Sequence, residues 1–374
     1  MTGKSQMNRR TFLRHTSMGA IGIAIGAGTI GMRFEQAFAQ IRQPKVVEVQ
    51  SDNVWKDNPL TPQPPTPSPF QRGAGGLSGK GEDEALNVEV VRSMMAKGMQ
   101  SLTKRDKLED AWKEFVVSDD VVGIKINPLS GPVLSTHRAI VDEIIAGLIS
   151  AGVQENNIIV WDRFEEHLKR AGYEINLSET GFRCYATDGQ GPGYDEKIFY
   201  ETDEDAQNRR DENGMRSFFS KIITEQVTKI INVPILKQHA VAGASLSLKN
   251  LAFGSVNNTI RFHPNPINCN PMIANICAEP SIKNKLVLNI IDGLLGCFDG
   301  GPGYKPEGTW QYNSLLFSAD PVAVDRVGVE IIDTKRKEEK LEPMASLAKY
   351  LSTAWRLGLG TNDLNEIDRE KMTV

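Results

Sequence analysis

The sequence predicts an α/β protein built on an open, mainly parallel sheet with helices on both faces. Three observations lead there. From Asp120 onward, short β-branched runs alternate with stretches whose apolar residues recur at helical spacing. Glycines at 152 and 172 close the first two helical stretches. The junction "SADPVAVD" then has the form of a strand running into a helix start.

The chain opens differently. In "NRRTFLR" (Asn8 to Arg14) twin arginines precede a Gly-rich, modestly apolar run from Ser17 to Met32, and "AFA" follows at Ala37 to Ala39. Basic region, apolar region and A-x-A end are the parts of an export signal, here of the twin-arginine type, so residues 1–39 are expected to be a signal peptide that engages the twin-arginine translocase. The run is too short for a typical membrane span, which takes about 20 apolar residues, so membrane attachment requires that the signal stay uncleaved. The expected location is the periplasm or another exported compartment.

Residues 40–81 read as an extended arm. "PLTPQPPTPSPF" (Pro59 to Phe70) has six prolines in twelve residues and runs into "GAGGLSGKG"; such a segment cannot pair as a central strand. The α/β domain is assigned to 82–374. Its first strand is "DVVGIKI", followed by a helix from Ser135 to Ser150 with Ile140, Ile144 and Leu148 on one stripe. "NIIVWD" is the next strand, a helical stretch leads to Gly172, and "FRCYAT" is a third strand. The polar segment Gly189 to Arg216 reads as an inserted loop. "KIINVPIL", "KLVLNIIDG" and "NSLLFSAD" resume the strands. Asp320 suits a helix N-cap, Pro321 the first helical position, and Val324, Val327 and Ile331 the buried stripe; a last helical region spans roughly 343–357.

Composition excludes some functions. A net charge of −4 and a pI near 5.9 argue against a nucleic-acid partner and leave small-molecule ligands open. Cys184, Cys269, Cys277 and Cys297 show no CxxC, so no iron-sulfur motif is present and no structural zinc is indicated. In an oxidising compartment, Cys269 and Cys277 are the first candidates for a disulfide.

Ligands of open parallel sheets sit beyond the carboxyl ends of the strands. The strand ends carry Lys125 and Asn127; Asp162 and Arg163; Lys237 and His239; Asp292; and Asp320. Each has an ordinary reading too: Asp320 as a cap, Asp292-Gly293 as a turn, Asp162 and Arg163 as surface ions. Asp325, one turn into its helix, is either a complement to the helix dipole or a site carboxylate. Lys125 is flanked by apolar residues in "VVGIKIN", and a buried cation implies an anion beside it. In "VPILKQHAVAGASLSLKN", Lys237 and His239 are two apart on an extended backbone, the small-residue loop admits backbone amides to a ligand, and Ser245, Lys249 and Asn250 follow. His263 in "RFHPNP" offers a second imidazole, whereas His137 reads as a cap-region residue. Two histidines without a third ligand at diagnostic spacing leave the metal question open.

Together "VPILKQH…SLSLKN", "IIDG…GGPG" and "SADPVAVD" resemble the domain-of-unknown-function family numbered 362, over roughly Asp120 to Asp333. That resemblance implies an α/β architecture. Some members are similar to components of redox systems and carry ferredoxin-type cysteine motifs, which this chain lacks. The family transfers no agreed catalytic residues.

The expectation is therefore an exported enzyme that binds a small carboxylate or phosphate. Lys237, His239 and Asp292 would be the catalytic groups, His239 as acid or base and Asp292 or Asp299 orienting an imidazole or a metal. Lys125, Asn127, Ser245, Lys249, Asn250, His263, Asp299 and Gly301 would hold the ligand, with "DGGPGY" (Asp299 to Tyr304) closing over it. Twin-arginine export of folded proteins also keeps an unidentified cofactor open. The alternatives are a non-catalytic periplasmic binding or envelope-associated protein, and a partner subunit that docks through its Pro-rich arm.

Overall fold

A computed structural model of the chain describes residues 44–56, 85–202, 205 and 215–374. The expected export signal and the Pro-rich and Gly-rich runs lie outside the described residues. Ten strands form one sheet, in the order β12-β1-β11-β10-β7-β2-β3-β4, with β8 pairing β10 and β9 beyond it. They are β1 (Lys45–Gln50), β2 (Val122–Ile126), β3 (Ile158–Asp162), β4 (Arg183–Ala186), β7 (Lys229–Val233), β8 (Ile235–His239), β9 (Gly243–Ala244), β10 (Leu286–Cys297), β11 (Thr309–Ser318) and β12 (Asp368–Thr373). The block β4-β3-β2-β7-β10 is parallel, as predicted.

The helices cover both faces because the strands are apolar on both. Val122, Ile124, Ile126, Ile158 and Val160 turn toward α1 (Val88–Thr103), α2 (Leu108–Lys113), α3 (Arg138–Ser150) and α4 (Glu165–Arg170). Ile159, Trp161, Ile230 and Ile291 turn toward α5 (Ser247–Ser255), α6 (Met272–Cys277), α7 (Pro280–Lys283), α8 (Pro321–Glu338) and α9 (Tyr350–Arg356). Strand residues buried on both sides are what a parallel sheet with two helical layers requires.

Several expectations change. Lys45–Gln50, assigned to the extended arm, is a core strand held between β11 and β12. β11 runs antiparallel to β10, since the segment joining them contains a single 3-10 turn and no crossover helix. "KIINVPIL" splits at Pro234, which has no N–H for the ladder; its carbonyl instead accepts from the Asp292 amide at 2.8 Å. The predicted inserted loop contributes β5 (Tyr194–Tyr200), which pairs with β6 (Ser217–Ser220) as a separate ribbon. All four cysteines are free and buried. The expected Cys269–Cys277 bridge is absent, and the Cys277 thiol donates to the Leu248 carbonyl of α5 at 3.3 Å.

Candidate functional site

The site grows from a polar row laid across an apolar sheet. Lys125 on β2 is in register with Asn232 on β7, Asn232 with Asn289 on β10, and Asn289 with Ser318 on β11. Neither Asn232 nor Asn289 was singled out from the sequence, although each is one polar residue in an apolar β-branched run, the same signal that marks Lys125. All three side chains are buried, so each needs partners. Asn232 Nδ2 donates to Asn289 Oδ1 and to the Ser247 carbonyl, both at 3.0 Å. Asn250, one turn into α5, completes the net: its Nδ2 donates to Asn232 Oδ1 at 2.8 Å, and its Oδ1 accepts from Asn127 Nδ2 at 3.0 Å and Lys125 Nζ at 3.2 Å. Gly254 of α5 lets the helix lie this close, since a Cβ there would fall 2.1 Å from Lys125 Cε.

The anion beside Lys125 is Asp162, with Nζ 2.7 Å from Oδ1. Burial alone would raise this carboxyl, but Lys125, helped by His167, outweighs it and holds Asp162 at about 2. The carboxylate therefore stays ionised at neutral pH, while burial pulls the Lys125 ammonium down against the opposing pull of Asp162.

Lys237 is fully buried, and among the described residues no carboxylate is bonded to it. Its Nζ donates to Asn127 Oδ1 at 3.0 Å and to Ser130 Oγ at 3.1 Å, while Ser130 Oγ donates to the Pro302 carbonyl at 2.7 Å. The "DGGPGY" loop is thus fastened over this lysine. Burial above all pulls Lys237 down to about 7.

Lys249, the residue before Asn250 in the first turn of α5, sends its Nζ over the Phe253 ring, 4.7 Å from the centroid. Among the described residues no carboxylate or hydrogen-bond acceptor pairs with it, and burial pulls it to about 8. The His263 ring meets the same Phe253 edge-on at 5.4 Å and lies 5.6 Å from the His239 ring. These two imidazoles present opposite faces of the same chemistry. His239 Nδ1 accepts from the amides of Val241 and Ala242, both at 3.1 Å, which places the proton on Nε2. Burial, then Lys249 and His263, depress its pKa to about 2, so His239 is a neutral donor. His263 Nδ1 donates to the Thr259 carbonyl at 3.1 Å, which leaves the lone pair on Nε2. Burial and Lys249 lower its pKa also. Arg163, bonded to Thr259 Oγ1 at 3.0 Å, adds a further cation on that side.

Other predicted site residues are engaged elsewhere. Asp292 does orient an imidazole, but that of His137: Oδ2 lies 2.7 Å from His137 Nδ1 and accepts the His137 amide at 2.8 Å. His137 is the residue before α3, in keeping with its cap-region reading. Asp299 pairs with Arg336 at 2.8 Å. The Gly301 amide donates to Gln238 Oε1, and a Cβ on Gly301 would strike the Gln238 carbonyl at 1.9 Å, so this glycine is there for packing. Ser245 is buried, and its amide closes the turn onto the Lys237 carbonyl. The amides of Ser247 and Leu248 at the start of α5 do not face open space either, because the Asp325 carboxylate accepts both, at 2.6 and 3.0 Å. Asp320 caps α8 through Val322 and Ala323 and, since β11 runs antiparallel, sits at the opposite edge of the sheet from the lysines.

Among the described residues no group of three or more His, Cys, Asp or Glu side chains could hold a metal ion, and no helix is long and apolar enough to cross a membrane. Two surface cavities, of about 350 and 180 Å³, contain none of the lysines or histidines above. What the cluster offers a small molecule is excess positive charge, one imidazole N–H and one imidazole lone pair.

Comparison with known proteins places the region. A family model described as Domain of unknown function (DUF362) matches residues 122–330, which contain the whole polar row and the lysine and histidine cluster. No curated protein matches the chain. A crystal structure of a protein from Thermotoga maritima is similar at 9% identity and a TM-score of 0.32, over 72% of this chain and 59% of that one. The chain thus spans less than two thirds of that protein's length.

Proposed function

This chain belongs to the DUF362 family, and from that premise we propose that it is an enzyme acting on a small anionic molecule, a carboxylate or phosphate, bound among Lys125, Lys237, Lys249, His239 and His263. One observation carries the reading. Five cationic or ionisable nitrogen groups share one region, and among the described residues Asp162 is the one carboxylate bonded to any of them. Buried charge without a partner is expensive, so the site either loses protons or takes up an anion. Lys237 at about 7 and Lys249 at about 8 stand at that balance point. An anion between them would favour their charged forms.

The reading is tested by thermal unfolding in inorganic phosphate and in pyruvate. One of them is expected to raise Tm, by about 2.7 kcal/mol of stabilisation at a hundredfold excess over Kd. Lys249→Met should remove the shift. Because Lys249 is protonated only below about 8, binding should weaken as pH rises from 7 to 9. A wild-type Tm that ignores both anions ends the proposal.

A second reading, a binding protein without chemistry, has one observation in its favour: both backbone amides on His239 Nδ1 fix that ring as a donor. If His239→Ala weakens phosphate binding and the wild type turns over nothing in a screen of phosphate esters and carboxylates, the binding reading stands and the enzyme reading falls.

We further propose that the protein is exported by the twin-arginine route, which rests on "NRRTFLR" and the "AFA" end. Arg9→Lys with Arg10→Lys should retain the full-length chain inside the cell on fractionation. Unchanged distribution would count against export.

A further inference from the structure

We propose that Lys249 is a Schiff-base lysine, so that the anion bound at this site is an oxo acid or a phosphorylated ketone whose carbonyl carbon meets Nζ. The inference rests on the anion-binding reading above and names its substrate class.

The three buried lysines differ in what holds them. Lys125 is committed to Asp162, Asn250 and the Ile126 carbonyl. Lys237 is committed to Asn127 and Ser130 beneath the closed loop. Lys249 meets an aromatic face, is 8% exposed, and has the two imidazoles of His239 and His263 beside it. A lysine desolvated against an aromatic face, with no anion bonded to it, is the arrangement that frees an amine to attack a carbonyl. With its pKa near 8, Lys249 carries at pH 7 roughly two orders of magnitude more free amine than an ordinary lysine.

The neighbours supply the proton transfers. The Nζ lone pair forms a C–N bond to the carbonyl carbon while the C=O π pair moves to oxygen, within reach of the Nε2–H of His239. Two protons of the Lys249 ammonium reach that oxygen in turn through His263 Nε2: the one shed to free the lone pair makes the carbinolamine hydroxyl, and the one lost from nitrogen after the C–N bond has formed protonates that hydroxyl. The C–O bond then breaks, water leaves, and a protonated imine remains on Lys249. Overall one ammonium and one carbonyl become one iminium and one water, so atoms and charge balance without an oxidant or reductant. Arg163, bonded to Thr259 Oγ1 and the Tyr194 hydroxyl and 4.0 Å from the Asp188 carboxylate, is the cation on the His263 side that would meet the carboxylate or phosphate of the same molecule.

The test is reductive trapping. Wild-type protein is incubated with pyruvate, 2-oxoglutarate or dihydroxyacetone phosphate in the presence of cyanoborohydride, and the labelled lysine is located by peptide mass spectrometry. One adduct per chain on Lys249, formed with at least one of the three and slowed by inorganic phosphate, is the expected result. Lys249→Arg should give no adduct yet keep its phosphate-dependent Tm shift; Lys249→Met serves for the loss of labelling where the Arg variant does not fold. Phosphate binding with no adduct on Lys249 from any of the three, or adducts on other lysines alone, overturns the Schiff base and leaves anion binding standing. Neither phosphate binding nor adduct removes both.

Discussion

Lys125→Met is expected to lower the unfolding free energy by about 3–5 kcal/mol, because it leaves Asp162 buried with its cation gone. Removing one partner of a buried ion pair costs more than removing both. The double variant Lys125→Met with Asp162→Leu should therefore recover most of the loss, to within about 1–2 kcal/mol of the wild type in urea unfolding. pH gives a second readout of opposite sign in the two proteins. In the wild type the Asp162 pKa is depressed from 3.8 to about 2, so its contribution is present above 3.8 and is lost as pH falls toward 2. In Lys125→Met, burial acts without the cation and raises that carboxyl, so the same group should favour folding as pH falls. If the single and double variants are equally unstable, Lys125 serves packing rather than charge pairing.

Asp325→Ala is expected to cost about 3 kcal/mol, since it strands the buried amides of Ser247 and Leu248 at the start of the helix that carries Lys249 and Asn250. Burial, with Asp320 adding to it, lifts Asp325 from 3.8 to about 7 against the pull of those amides. A carboxyl raised on folding binds its proton more tightly in the native state. Its stabilising contribution is therefore complete below 3.8 and is lost as pH rises to about 7. Urea midpoints of the wild type should carry a falling component over that interval that Asp325→Asn lacks. Identical pH slopes in the two proteins would show that Asp325 does not titrate there. Because Asn250 binds Lys125, Asn127 and Asn232, displacement of α5 should also weaken phosphate binding.

Much of the architecture was legible in the chain. Short strands apolar on both sides, with helical stretches between them, leave a parallel sheet under two helical layers as the packing that buries both faces. Asp320 ahead of Pro321 gave the start of α8. A lysine inside "VVGIKIN" required a buried anion, and Asp162 is that anion. Two features were readable and were passed over. Asn232 and Asn289 interrupt apolar runs just as Lys125 does, and the link between "IIDG" and "NSLLFSAD" has no helix with which to make a parallel crossover.

The identity of partners was not legible. Asp292 was expected to orient an imidazole at the ligand site, and it holds His137 instead. The small loop Ala240 to Ser245 was expected to offer its amides to a ligand, but those of Val241 and Ala242 donate to His239 Nδ1 and that of Ser245 to the Lys237 carbonyl. Asp299, expected at the site, pairs with Arg336. By itself the sequence determined the fold class, the core-facing pattern of each element and the presence of buried basic residues, since these follow from local periodicity and from the cost of burying charge. Tertiary structure alone decided the direction of β11, the register that aligns Lys125, Asn232 and Asn289, and which imidazoles stand beside Lys249. Those depend on how strands far apart in the chain pair and how α5 settles on them, a matter of summed long-range packing that no single stretch of residues encodes.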